Sequence, residues 1–352
     1  MARVGILTFH YANNYGAVLQ AYGLSKAIKE MGHYVEVLDY CPLAARRSYG
    51  RWPRRHPLRI FPFAVKRWRF RQFRQRYLPL SLRTYWTLKD LQSYPPDVDC
   101  VICGSDQVWN IASYRGFDPA FFLEFVEEGG PRRISYAATF GFAEELGNYH
   151  ERIRNLLSGF DYLSVRDRKS QKMLQELTGR PTEHVLDPTF LTDYEPITPP
   201  RIYKYPYIFV HCVSVTYGDF FIRTIGALSK RLGMPAICVD HPLPLRKTKF
   251  ARAAGPLQWL SLIRHAEFVC TSSFHGTCFS LINRKQFVVF PISKGQFRLE
   301  DILQTAGLSN RLVCNEDELE RSLANPISYS TVSERLEEAC LHSKTFLREA
   351  LK

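Results

Sequence analysis

The chain has 352 residues, 45% of them hydrophobic and 14% aromatic, which is too long for one ordinary core and suits two. Its formal charge is +13, its nine cysteines are scattered, and no apolar run approaches the ~18 residues of a membrane span. These numbers exclude a disordered chain, a disulfide-stapled scaffold and a membrane-spanning protein.

Residues 3–8 (RVGILT) read as a short apolar strand and 10–15 (HYANNY) as a polar loop. A helix is predicted over 16–31, with Val18, Leu19, Tyr22, Leu24 and Ile28 apolar and Gly32 as its stop, and 34–39 (YVEVLD) is the next strand. This βαβ opening predicts an open parallel sheet. Its first loop lacks GxGxxG, which disfavours an ordinary dinucleotide site. Because polar residues interrupt 4–24, no signal-peptide core is read there and a cytoplasmic location is expected.

Between 41 and 89 there is no Asp or Glu but 14 Arg and Lys, so nearly all the net charge is local. Phe63, Phe70, Phe73 and Tyr77 recur there at near-helical spacing among Lys66, Arg67, Arg69, Arg71, Arg74 and Arg76. Such a helix suits an anionic membrane surface, at about 1 kcal/mol per basic residue near the headgroups. Packing on its own domain with a solvated basic face is one alternative, and nucleic acid is another. Membrane contact is assigned to Trp52, Trp68, Phe70, Arg71, Phe73 and Arg74, with a peripheral place on the inner face of the cell membrane and no nucleic acid expected.

Strand patterns resume at 98–103 (VDCVIC), 133–138 (RISYAA), 162–165 (YLSV) and 184–186. Cys100 and Cys103 form a CxxC, but residues three apart in a strand point to opposite faces, so no metal or redox pair is read and no metal-ligand cluster is expected. The loops at the carboxyl ends of parallel strands collect on one edge, so 10–15, 104–110, 139–141 and 166–168 are expected to converge. A proline-rich linker at 196–206 precedes a second alternation of strands and helices. The expected architecture is α/β, two Rossmann-like domains facing across a cleft in the GT-B manner. They span 1–195, carrying the insert at 41–89, and 196–330, with a terminal helix at 331–352.

In the second domain, 267–270 (EFVC) reads as a buried strand, and TSSFHGTCFSLIN from 271 to 283 as a serine-capped helix. Ser272 or Ser273 is the N-cap, His275 lies in the first turn and Gly276 permits close approach to the backbone. Free N–H groups at a helix start bind phosphate or carboxylate.

The set GILTFHYANNYGAVLQAYGL, CGSDQVWN, ISYAATFG, SVRDRKSQKMLQEL, VLDPTFL, SSFHGTCFSLI and FRLEDILQTAGL, in that order, resembles the polysaccharide pyruvyl transferase family over nearly the whole chain. Asp167 stands where a glutamate is more usual, and the basic insert is a departure that bears on the acceptor. The resemblance implies an enzyme that moves the enolpyruvyl unit of phosphoenolpyruvate onto two hydroxyls of one sugar in a cell-surface polysaccharide, such as a capsule or exopolysaccharide, or in its lipid-linked precursor. The products are a pyruvate ketal and phosphate. No cofactor is expected, phosphoenolpyruvate being the donor substrate. A GT-B glycosyltransferase using a nucleotide sugar, or a non-catalytic membrane-surface adaptor, is the alternative.

A helix terminus contributes only about 0.3–2 kcal/mol to anion binding, so arginines are needed as well, at about 1.5–3 kcal/mol for each charge-assisted bond. Phosphoenolpyruvate binding is assigned to Arg166, Arg298, Ser272, Ser273 and Gly276, with Arg168, Arg264 and Lys294 as weaker choices. His275 is the proton-transfer residue, and Asp106 the candidate base for the acceptor hydroxyl. His10, Asn13, Asn14, Tyr15, Gln107 and Trp109 are assigned to the acceptor sugar, by hydrogen bonds and stacking.

Overall fold

Strands with apolar residues on both faces need helices on both sides, and this chain alternates the two throughout. The structure is a computed structural model that describes residues 1–42, 57–213, 218–239, 242–245 and 248–352, without the side chains of 57–60. Trp52 lies outside the described residues. The chain divides into two compact units: Met1–Trp52, Gln72–Thr192 and Glu338–Lys352 form the first, Pro53–Arg71 and Asp193–Glu337 the second.

The first unit is built on β1 (Arg3–Leu7), α1 (Tyr15–Glu30) and β2 (Tyr34–Tyr40). Asn14 caps α1 by accepting from the Ala17 amide at 3.3 Å, and Gly32, at φ +89°, lets the chain leave it. After α2 (Pro57–Tyr77) come β3 (Leu80–Tyr85), α3 (Leu88–Ser93), β4 (Cys100–Cys103) and β5 (Arg132–Ser135). All neighbours pair in parallel, in the order β3-β2-β1-β4-β5. Cys100 and Ile102 lie in one core cluster and Val101 and Cys103 in another, as the alternation of a doubly covered strand requires. Beyond β5, α4 (His150–Ser158), β6 (Ser164–Val165), α5 (Arg168–Thr178) and β7 (Glu183–His184) complete the run.

The second unit repeats the plan with β8 (Ile208–His211), α6 (Asp219–Leu232), β9 (Ala236–Cys238), β10 (Thr248–Phe250), α7 (Pro256–Arg264), β11 (Phe268–Thr271), α8 (Phe274–Ile282) and β12 (Gln286–Val289). Its order is β10-β9-β8-β11-β12, again parallel. Helices α9 (Phe297–Thr305) and α10 (Glu316–Ala324) follow. The last helix, α11 (Tyr329–Ala350), buries Phe346, Leu347 and Ala350 in the core around β1 and β4 of the first unit.

The insert departs from its expected form in two ways. Leu80–Tyr85 is an edge strand of the first sheet, held to β2, with Leu82 fully exposed. On α2, Phe70 and Phe73 are buried, and Phe73 packs on Tyr22 and Tyr77 at 6.2 and 5.0 Å between ring centroids. Neither ring can reach a membrane while the core is intact, which overturns that assignment for both. Arg74 is half-buried and donates to Asn13 Oδ1 at 3.3 Å. Trp68 and Arg71 remain exposed, with Phe61 about two and three turns away from them along the helix.

Candidate functional site

In an open parallel sheet, neighbouring strands whose crossovers run to opposite sides leave a crevice at their carboxyl ends. The first sheet has that point between β1 and β4, and the second between β8 and β11. His10 and 104–110 follow β1 and β4, while His211 ends β8 and Ser272 follows β11.

In the second unit, Thr271 Oγ1 donates to the His211 carbonyl at 2.6 Å and accepts from the Ser273 amide at 3.0 Å. Ser273 Oγ then caps α8 by accepting from the Gly276 amide at 3.3 Å, and Ser272 Oγ accepts from the Val213 amide at 3.2 Å. A Cβ on Gly276 would lie 2.2 Å from Thr271 Oγ1 and 3.2 Å from His211 Nδ1, so only glycine lets the helix start seat against both strand ends. His211 thus joins Ser272, Ser273, His275 and Gly276, with its ring edge-on to Trp259 at 5.3 Å. Sequence reasoning missed it because IFVH ends like any buried strand. Arg298 is buried in the first turn of α9, which packs on α8, and its Nε donates to the Gly295 carbonyl at 3.3 Å. Lys294 is exposed in the loop before it, whereas Arg264 pairs with Glu195 at 2.7 Å. The polar groups near the carboxyl ends of this sheet are therefore a helix N-terminus, two imidazoles and Arg298.

The first unit holds a different kind of site. Arg166 Nη1 lies 2.7 Å from Asp187 Oδ2, and Nη2 lies 3.0 Å from Asp106 Oδ1. Ser105 Oγ sits 3.0 Å from both Asp187 Oδ2 and the Ala137 carbonyl, and Gln20 and Thr8 extend the network beneath it. Burial opposes the charge on Arg166, but the carboxylates of Asp106 and Asp187 outweigh it and hold the guanidinium above its ordinary pKa. This geometry corrects the role expected of Arg166, since its end nitrogens are occupied by two carboxylates that would repel a phosphate. Asp106 is the part-exposed end of the network, with φ +81°, a left-handed conformation that a non-glycine residue keeps only when its surroundings impose it. Arg168 begins α5, whose N-cap is Asp167, accepting from the Ser170 amide at 2.8 Å.

Most of the acceptor set falls away. Trp109 is buried, stacked on Phe122 and against Phe140 and Phe160, with Nε1 donating to the Phe121 carbonyl at 2.9 Å, so it offers a sugar no face. Tyr15 is buried in the first turn of α1, and Asn14 caps that helix. His10 is buried with Nδ1 3.2 Å from the Thr8 carbonyl and Nε2 2.8 Å from Asp39 Oδ1. Burial alone would raise the Asp39 carboxyl, but hydrogen bonds from His10, Thr84 and Cys41 and attraction to His10 bring it down to about 2. Asn13 and Gln107 stay partly exposed, and Arg115 stands beside Gln107, unforeseen, donating to its carbonyl at 3.1 Å. Contrary to the expectation of no ligand cluster, His10, Asp39 and Cys41 come together at the strand ends. No helix among the described residues is long and apolar enough to cross a membrane.

A family model described as polysaccharide pyruvyl transferase matches residues 14–294. No curated protein sequence matches the chain. Among solved structures, UDP-GlcNAc 2-epimerase from Methanocaldococcus jannaschii is similar at TM-score 0.54 and 11% identity, over 97% of this chain and 99% of that one. UDP-GlcNAc 2-epimerase from Neisseria meningitidis, bound to UDP-GlcNAc, is similar at TM-score 0.52 and 10% identity, over 100% and 99%. At such identities the likeness shows the fold, that of GT-B proteins, with two Rossmann-like parallel sheets.

Proposed function

The chain belongs to the polysaccharide pyruvyl transferase family, and from that premise we propose that it moves the enolpyruvyl group of phosphoenolpyruvate onto two hydroxyls of one sugar, in a cell-surface polysaccharide or its lipid-linked precursor. The observation that carries this reading is the open edge of the second sheet, where α8 starts against His211 with His275 in its first turn and Arg298 on the adjoining helix. Phosphoenolpyruvate presents a phosphate and a carboxylate on one carbon, and this edge supplies N–H donors, imidazoles and a guanidinium to anions.

The chemistry runs in two additions. His275 gives a proton to the methylene carbon, and C2, now electron-poor, takes the first sugar hydroxyl, which loses its proton to a base. Phosphate then leaves C2, a second hydroxyl adds there, and its proton goes to the departing phosphate. One diol and one phosphoenolpyruvate thus become one ketal and one phosphate. Asp106 is the group offered to the acceptor hydroxyl, and Arg166 and Asp187 position it.

Calorimetry with phosphoenolpyruvate and with UDP-sugars tests the donor, and mass spectrometry of the glycan product tests the transfer. Binding of phosphoenolpyruvate, with a gain of one pyruvate ketal and one phosphate released, is expected. Binding of a UDP-sugar alone would move the chain to the glycosyltransferase reading.

Membrane contact is retained in the proposal through Trp68 and Arg71, the exposed side of α2. Anionic vesicles are expected to bind the protein at low salt and release it as salt rises, and Trp68→Ser with Arg71→Ser to weaken that binding. Vesicle binding unchanged in the double variant would reduce this face to a solvated surface.

A further inference from the structure

The carboxyl ends of β1 and β2 gather three side chains that the pyruvyl transfer does not use. His10 follows β1, Asp39 lies at the end of β2 and Cys41 just after it. His10 Nε2 is 2.8 Å from Asp39 Oδ1, Cys41 Sγ is 3.4 Å from the same oxygen, and all three donor atoms lie within 4.8 Å of one another. The residues are 29 and 2 positions apart, so no short motif announces them.

Their outer contacts favour ligation. His10 Nδ1 faces the Thr8 carbonyl at 3.2 Å, an acceptor only, which keeps a ring hydrogen there and leaves Nε2, which bonds Asp39 directly when no ion is present, as the nitrogen that would ligate once its own hydrogen is displaced. Asp39 Oδ2 accepts from Thr84 Oγ1 at 2.6 Å, so Oδ1 is the oxygen presented. The backbone of Cys41 is fixed by donation to the Tyr85 carbonyl at 2.8 Å. A tetrahedral ion with bonds of about 2.0–2.3 Å needs ligand atoms roughly 3.3–3.7 Å apart. The observed spacings reach that with shifts of less than about 1 Å, as Asp39 and His10 exchange their direct bond for a shared cation.

We propose that His10, Asp39 and Cys41 form a zinc site in which Nε2, Oδ1 and Sγ are the protein ligands and water completes the tetrahedron. The donor set selects the metal: imidazole and thiolate suit Zn²⁺, whereas Mg²⁺ and Ca²⁺ prefer oxygen alone. Asp39 is 21% exposed and Cys41 is half-buried, which gives the ion an entry from solvent. Bound there, zinc ties β1 to β2 and clamps the first residue of the basic insert to the sheet.

The test uses the full-length protein, stripped with a chelator and titrated with Zn²⁺ alone. One zinc per chain retained after desalting is expected, with proton release as the Cys41 thiol ionises, read as a binding heat that depends on the buffer. Cys41→Ser and His10→Gln should each weaken binding about tenfold or more. Cys314→Ser, which removes an exposed thiol elsewhere, should leave it unchanged. With Co²⁺ in place of zinc, a thiolate charge-transfer band should appear in the parent protein and be missing from Cys41→Ser. Should His10→Gln fail to fold, the half-buried Cys41 carries the test by itself. No retained zinc, or retention equal in Cys41→Ser and the parent, would overturn the proposal.

Discussion

An Arg166→Met chain is expected to lose about 3–5 kcal/mol of stability, because the change takes the Arg166 cation away from the fully buried Asp187 and from the part-exposed Asp106. For a unit of this size that is a fall of roughly 10 °C in melting temperature, together with a smaller soluble yield. The reasoning is specific to the geometry. Asp187 has no exposed side-chain surface, and Arg166 Nη1 at 2.7 Å provides its charge balance. Ser105 remains as a neutral neighbour and cannot supply charge. Asp106 is only 14% exposed and loses its Nη2 partner at the same time. A triple variant that adds Asp106→Asn and Asp187→Asn should recover part of the loss, since removing a whole buried ion cluster costs less than breaking it. If Arg166→Met melts within about 1 kcal/mol of the parent and loses only phosphoenolpyruvate binding, the arginine is a donor contact after all. The phosphoenolpyruvate contact expected of Arg166 from the sequence is thus replaced by a part in holding the fold.

This arginine also marks where sequence reasoning stops. β1, α1, β2, β4, β8, β11 and α8 were legible because each declares itself within a dozen residues, through an apolar run, a periodicity or a cap such as Ser273 before Gly276. The crevice ends were legible too, since parallel order alone places 104–110 and 272–276 at carboxyl edges. What a side chain meets there depends on partners tens of positions away. Arg166 meets residues 60 and 21 positions back and ahead, and His10 meets one 29 ahead. Trp109 reads as available for stacking because it lies in a polar loop between Gln107 and Asn110, yet three phenylalanines at 122, 140 and 160 close over it. On α2, basic residues stand on every side of the rings, so charge could not show which face turns inward, and Phe70 and Phe73 were assigned outward. Leu80–Tyr85 was lost for the same reason, as one edge strand inside a charge run.

His275→Ala is expected to lower turnover about 10²–10⁴-fold, the usual contribution of a positioned general acid, while the protein stays folded. Folding should survive because the backbone at this point is held by other groups. Ser273 caps the helix, Thr271 ties the strand end to His211, and Gly276 keeps its contacts with both. Two roles can be told apart by where the loss falls. If His275 protonates the methylene carbon, kcat falls with little change in the KM for phosphoenolpyruvate, because the proton moves only in the transition state. If it clamps the phosphate instead, KM rises and kcat is largely kept. The acid role further requires that the alanine variant lose one limb of the pH profile and regain some turnover with added imidazole, neither of which a phosphate clamp or a merely structural histidine would produce. Wild-type turnover in His275→Ala would remove the residue from the chemistry and leave the helix start and Arg298 as an anion site whose acid lies elsewhere.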